Sequence, residues 1–104
     1  MRSPQAVLAV TLALGLPLAA AAQEKEALYV RSLAATCANC HGTNGKAVEG
    51  AAVPGLAGMP QQYTIMQMQA FKSGARPATV MHQIAKGFND AQIQQLAAYF
   101  AAQK

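Results

Sequence analysis

Apolar positions along the chain change their pattern several times. From Ala6 to Ala22 they are nearly continuous, broken only by Thr11, Gly15 and Pro17, and the block closes on Ala20-Ala21-Ala22 after a start carrying Arg2. A basic start, a short apolar run and a small-residue end describe a secretory signal cleaved after about Ala22. A permanent membrane helix is the rival reading, but a bilayer asks for about 20 predominantly apolar residues, and this run is shorter and contains Pro17. The expected layout is a signal peptide over 1–22 and a single small domain over 23–104.

From Glu24 to Thr36, Ala27, Val30 and Ala34 recur at helical steps that continue to Cys37, which predicts a first helix. The pattern then fails. Gly42 to Met59 holds five glycines and Pro54 without a sustained period, so it reads as a loop. Loops longer than about 12–15 residues usually do something, such as wrap a ligand. Pro60 can open a second helix containing Tyr63, Ile65, Met66, Met68, Ala70 and Phe71, apolar nearly all round, before Gly74 ends it. Such a helix asks for burial on more than one side, and Met66 and Met68 are expected to serve as packing. Beyond Pro77 a short helical piece from about Ala78 to Lys86 stops at Gly87. The last helix is the clearest, with Asn89 as N-cap, Gln92 three residues on, and Ile93, Leu96, Ala97 and Phe100 along one face. No segment reads as a strand.

Composition sharpens this all-α picture. The 104 residues are 53% apolar, but the N-terminal block inflates that figure, and much of what remains is alanine. The side chains alone make a thin core, and small domains with thin cores commonly rely on a disulfide, a metal, a cofactor or oligomerisation. A net charge of +4 from eight basic and four acidic residues is too dispersed for a nucleic-acid stripe. Composition likewise argues against a large enzyme, a coiled coil and a disulfide-dense toxin.

Both cysteines fall in Cys37-Ala38-Asn39-Cys40-His41. Cys-x-x-Cys-His reads as a c-type heme attachment site. On a helical turn residues i, i+3 and i+4 share a face, so two thiols can reach the two vinyl groups of a porphyrin while the imidazole meets the iron. Cys37 and Cys40 would form the thioethers and His41 the proximal bond, its second ring nitrogen needing an acceptor. Three rivals use the same residues: a thioredoxin-like motif, which wants a βαβ setting; a zinc site, which wants four ligands; and a plain disulfide, whose small loop would stabilise little.

The Cys-His-Gly stretch, the Pro54-Gly55-Leu56-Ala57-Gly58 loop, the middle helix, the Met-bearing segment and the Leu96-Ala97-Ala98-Tyr99-Phe100 end occur in an order that resembles a class I, single-heme cytochrome c. The resemblance implies about four short helices and a long loop wrapped around one covalently bound heme c. It implies a Pro54 carbonyl that accepts a bond from His41, and Met81 as the distal ligand. Met59, Met66 and Met68 compete for that role, and His82 is the next candidate. Met/His ligation raises the reduction potential, whereas a second histidine would be expected to lower it. Tyr63 either reaches a heme propionate or fills the core, with burial the commoner fate. Many members carry glycine and an aromatic where this chain has Tyr29 and Leu33, which puts the close crossing of the first and last helices in question; Tyr29 is expected to pack against Tyr99 or Phe100 instead.

With both axial positions occupied, one-electron exchange is the chemistry available, so the expected function is electron carriage and not catalysis. The run Met81-His82-Gln83-Ile84-Ala85-Lys86-Gly87 is similar to the distal segment in the heme subunit of flavocytochrome c sulfide dehydrogenases. That similarity implies export to the periplasm and a partner flavoprotein carrying FAD, with no nucleic acid and no stable membrane insertion after signal cleavage. A freely diffusing periplasmic shuttle is the alternative, and a ligand-sensing heme protein with a displaceable Met81 is a third reading. Lys46, Lys72, Arg76 and Lys86 are candidate docking charges for an acidic partner, or serve solubility alone.

Overall fold

The computed structural model describes residues 4–104, with side-chain exposure given from Leu16 onward; the first three residues of the expected signal peptide lie outside the described residues. In chain order the elements are α1 (Pro4–Ala35), α2 (Ala38–His41), a 3-10 turn (Thr43–Gly45), α3 (Gln61–Ser73), α4 (Met81–Ala85) and α5 (Asp90–Ala101). Among the described residues there is no strand. The chain adds one helical turn, α2, to the four helices expected.

Helix α1 begins well before Glu24, because the Ala- and Leu-rich block has strong helical propensity and joins the downstream helix across Pro17. Among its described side chains the surroundings change along the helix. Leu16, Leu18 and Leu28 are 68%, 75% and 67% exposed, whereas Ala34 is buried. The last turns of α1 enter the core, where Ala34 meets Leu96 and Phe100 of α5, with Leu33, Cys37, Leu56, Phe88 and Tyr99 packed around them. The crossing of first and last helices therefore forms without the glycine, Ala34 supplying a small side chain at the contact. Tyr29 is exposed rather than packed into that core. Its hydroxyl accepts a hydrogen bond from Gln92 Nε2 at 3.0 Å, while the ring partner of Phe100 is Tyr99, edge to face at 5.3 Å.

The core is as thin as composition implied. Its buried apolar residues are Ala34, Ala85, Ile93, Leu96, Ala97 and Phe100, half of them alanine. Helix α5 carries four of the six because its apolar positions keep a helical period and because its start is fixed by a capping box. Gln92 N donates to Asn89 Oδ1 at 2.8 Å and Asn89 N donates to Gln92 Oε1 at 3.0 Å. Helix α3 ends at Gly74 in the left-handed conformation (φ +82°). Its apolar residues do not fill a protein core: Thr64 is its one buried residue, Met66 is 63% exposed and Tyr63 47% exposed. The expectation that Met66 packs inside, and that Tyr63 is a core residue, is thus corrected.

The long loop is pinned at its base. Gly45 O accepts from Leu56 N (2.7 Å) and Ala57 N (3.1 Å), and Gly58 N donates to Phe100 O (2.9 Å), which ties the loop to α5. Gly45 has φ +75°, and a Cβ there would lie 2.8 Å from the Phe100 ring, so a larger residue would force the core apart.

Candidate heme site

A cavity of about 460 Å³ lies between the loop and the helices, within the range of small-molecule sites. Cys37, Cys40 and His41 line it from α2, Pro54 from the loop, Tyr63, Met68 and Phe71 from α3, and Met81 and Ile84 from α4. Cys37, Cys40, His41, Pro54, Tyr63 and Met81 all border this one space, as do Met59 and Met68, whereas Met66 and His82 do not.

Local hydrogen bonding explains the α2 side. His41 N donates to Cys37 O at 2.9 Å and Cys40 N to the same oxygen at 3.3 Å, and the resulting turn gives residues 37, 40 and 41 a common face. Gly42 ends the turn at φ +84°, where a Cβ would stand 2.1 Å from Lys46 O. His41 Nδ1 lies 2.7 Å from Pro54 O. A carbonyl oxygen only accepts, so Nδ1 carries the proton and Nε2 keeps its lone pair for a metal. Cys37 is half-buried and Cys40 exposed. Burial pushes the Cys37 thiol above its ordinary value, partly opposed by the Thr36 hydroxyl at 3.9 Å.

The rival readings of the motif find no support here. The two cysteines are not joined in a disulfide. Among the described residues no three His, Cys, Asp or Glu side chains cluster to hold a metal ion, and the absence of strands removes the thioredoxin-like setting.

Met81 opens α4 and lines the cavity. Met59 and Met68 line it too, so Met68 faces the cavity rather than a packed core. His82 is not among the lining residues; it is half-buried, and its Nδ1 is buried without a hydrogen-bond partner. Two of the four candidate docking charges also make contacts within the chain. Lys72 Nζ donates to Phe88 O at 2.6 Å, and Arg76 borders the cavity while remaining exposed like Lys46 and Lys86. Sequence reasoning missed Thr64 altogether. It is 7% exposed, its Oγ1 has no partner, and it lines the cavity; its place one turn from Gln67 and Met68 is the signal that it shares their face.

The donor set suits an iron porphyrin held through sulfur: two thiols, an imidazole with one free nitrogen, and thioether sulfurs in a mainly apolar surround. The orphaned Thr64 hydroxyl fits the same conclusion, since a buried donor without a partner is costly unless something in the cavity satisfies it.

Comparison with known proteins agrees. Residues 30–104 match the model of the family described as cytochrome c. The chain belongs to the cytochrome c family and has the class I fold, and its family implies one covalently bound heme c. It is 42% identical over 71 residues to a thiosulfate dehydrogenase electron acceptor from Thiomonas intermedia, covering 68% of this chain and 33% of that protein. It is 37% identical over 68 residues to a cytochrome subunit of sulfide dehydrogenase from Chlorobaculum tepidum, covering 65% and 60%. Among solved structures it is similar to a cytochrome c4 from Acidithiobacillus ferrooxidans, with a TM-score of 0.59 and 39% identity over 64% of this chain and 37% of that one. The chain spans from a third to three fifths of the length of these relatives. Among the described residues no helix is long and apolar enough to cross a membrane.

Proposed function

We propose that Cys37 and Cys40 hold heme c through thioethers, with His41 Nε2 and Met81 sulfur as the axial ligands. The observation that carries this reading is the convergence of α2 and α4 on one cavity, with the His41 tautomer fixed by Pro54. When bound, the heme supplies one-electron exchange; the chain supplies attachment, axial ligands and burial. Pro54 keeps the His41 ring oriented, and Tyr63 borders the cofactor at the exposed edge of α3. Between Met81, Met59 and Met68, the break at Pro77 favours Met81, because it releases the segment to place a side chain toward the iron.

On the same reading the chain is exported, cleaved after about Ala22, and works in the periplasm over residues 23–104. It serves as the heme subunit that receives single electrons from an FAD-containing flavoprotein oxidising sulfide. Two relatives named for dehydrogenases of sulfur compounds support a partner of that kind. The second reading, a free shuttle between a dehydrogenase and a terminal oxidase or reductase, draws on the exposed Lys46 and Lys86, which suit transient docking by charge.

The test is purification of the native protein from periplasmic extract at low salt, with visible spectra and bound FAD followed across the same peak. Heme co-eluting with flavin, and reduced on addition of sulfide, supports the subunit. Heme without flavin, with partner binding that weakens as salt rises, supports the shuttle. Protein without covalent heme overturns both.

A further inference from the structure

Three asparagines occur in the chain, and Asn44 alone of them precedes a glycine. That pair invites a reaction, because glycine offers its backbone nitrogen with no side chain to shield it. The nitrogen of Gly45 can attack the side-chain amide carbon of Asn44. A bond forms between Gly45 N and Asn44 Cγ, the bond from Cγ to Nδ2 breaks, and ammonia leaves with the proton of the Gly45 amide. Water then opens the five-membered imide at either carbonyl and leaves aspartate or isoaspartate at position 44. Water is the co-reactant, and nothing is oxidised or reduced.

The fold holds the pair away from this reaction. Ring closure needs Cγ and Gly45 N eclipsed about the Cα–C bond of Asn44, whereas φ 56° and ψ 26° place them on nearly opposite sides of it. Asn44 is the one residue other than glycine with positive φ among the described residues, in a region that asparagine tolerates better than most side chains. Both reacting groups are also tied. Tyr99 Oη donates to Asn44 Oδ1 at 2.6 Å, and the Tyr99 ring is itself fixed edge to face on Phe100. Gly45 N donates to Gly42 O at 3.0 Å.

We propose that Asn44 is a latent deamidation site, closed by the Tyr99 bond and the turn at Gly45 while the chain is folded and opened when that fastening comes apart. The chemistry is independent of the cofactor. Isoaspartate adds one methylene to the backbone immediately before Gly45, the residue that pins the loop through Leu56 and Ala57 and has no room for a Cβ beside Phe100. A chain that reacts this way while unfolded cannot regain the fastening, so time spent unfolded is written into it as a covalent mark. Aspartate keeps the backbone length and leaves Tyr99 an acceptor.

The experiment incubates the purified protein in mildly alkaline buffer as native wild type, wild type unfolded in urea and native Tyr99→Phe. Conversion at Asn44 is followed by peptide mass, and isoaspartate by methyl transfer from S-adenosylmethionine with an isoaspartyl methyltransferase. Asn39 and Asn89 serve as internal references. Native wild type should convert at least about tenfold more slowly than the unfolded chain, because only the opened fraction reacts. Tyr99→Phe keeps a ring against Phe100 and should convert about fivefold faster than native wild type, the ratio that one ordinary hydrogen bond carries. Chains returned from urea should recover the native circular dichroism and thermal midpoint when they carry aspartate, and not when they carry isoaspartate. Equal rates for native and unfolded wild type overturn the proposal, as does a folded Tyr99→Phe that converts at the wild-type rate, or full recovery of the isoaspartate chains. If Tyr99→Phe does not fold, the comparison of native with unfolded wild type decides.

Discussion

The two sides of the cavity are built differently. On the α2 side, Cys37, Cys40 and His41 take their places from backbone bonds within five residues, and the one distant tie is His41 to Pro54. On the α4 side, Met81 sits in a five-residue helix whose supports come from elsewhere. Lys72 of α3 donates to the Phe88 carbonyl, Gln69 of α3 donates to Asp90 at 2.8 Å, and the capping box starts α5 directly afterwards. The first side is written in local sequence. The second is assembled by tertiary contacts, and it should yield more gradually to substitution.

Cys37→Ser with Cys40→Ser gives the largest effect. Covalent heme should vanish from a denaturing gel stained for peroxidase activity, because no other cysteine remains. Met81→Ala should keep the heme attached while the far-red band of the oxidised protein disappears. The potential should then fall by an appreciable part of the ~0.8 V that axial ligands span; a band surviving this change would move the ligand to Met59 or Met68. Lys72→Met removes a partly buried bond from a charged donor, so stability should fall by about 1.5–3 kcal/mol in urea titration. The far-red band should weaken as well, while heme attachment is unaffected. Asn89→Ala deletes the cap of α5 and should cost about 1 kcal/mol, read as a lower thermal midpoint. The smallest effect is kinetic and belongs to the chain before heme attachment. Burial holds the Cys37 thiol above its ordinary pKa, so near pH 8 less of it is thiolate and iodoacetamide should label exposed Cys40 first. The gap should narrow as pH rises through the Cys37 value.

The same division explains what the sequence disclosed. The turn at Cys37–His41, the Asn89 cap, the Gly74 stop and the loop from Gly42 to Met59 are local signals, and the structure has each of these elements where the pattern put it. The start of α1 was misjudged because an expected processing site says nothing about helical propensity, and the Ala-rich block continues the helix. A helix apolar all round looks like a core helix, whereas α3 turns Tyr63 and Met68 to a cavity and leaves Met66 exposed. Arg76 and Lys72 resembled ordinary surface charges because nothing along the chain reveals the ring of Phe71 or the carbonyl of Phe88.

The pin at the base of the loop also bears on engineering. With Gly45 fastened to Leu56 and Ala57, and with Gly50 meeting no atom within 4 Å of an added Cβ, the arc around Gly50 can change length while its ends stay fastened. Doubling a flexible loop costs only about 0.6 kcal/mol in closure entropy. Gly50 is therefore the place to splice in an affinity tag or a tether to an electrode, leaving the fastening at Gly45 undisturbed.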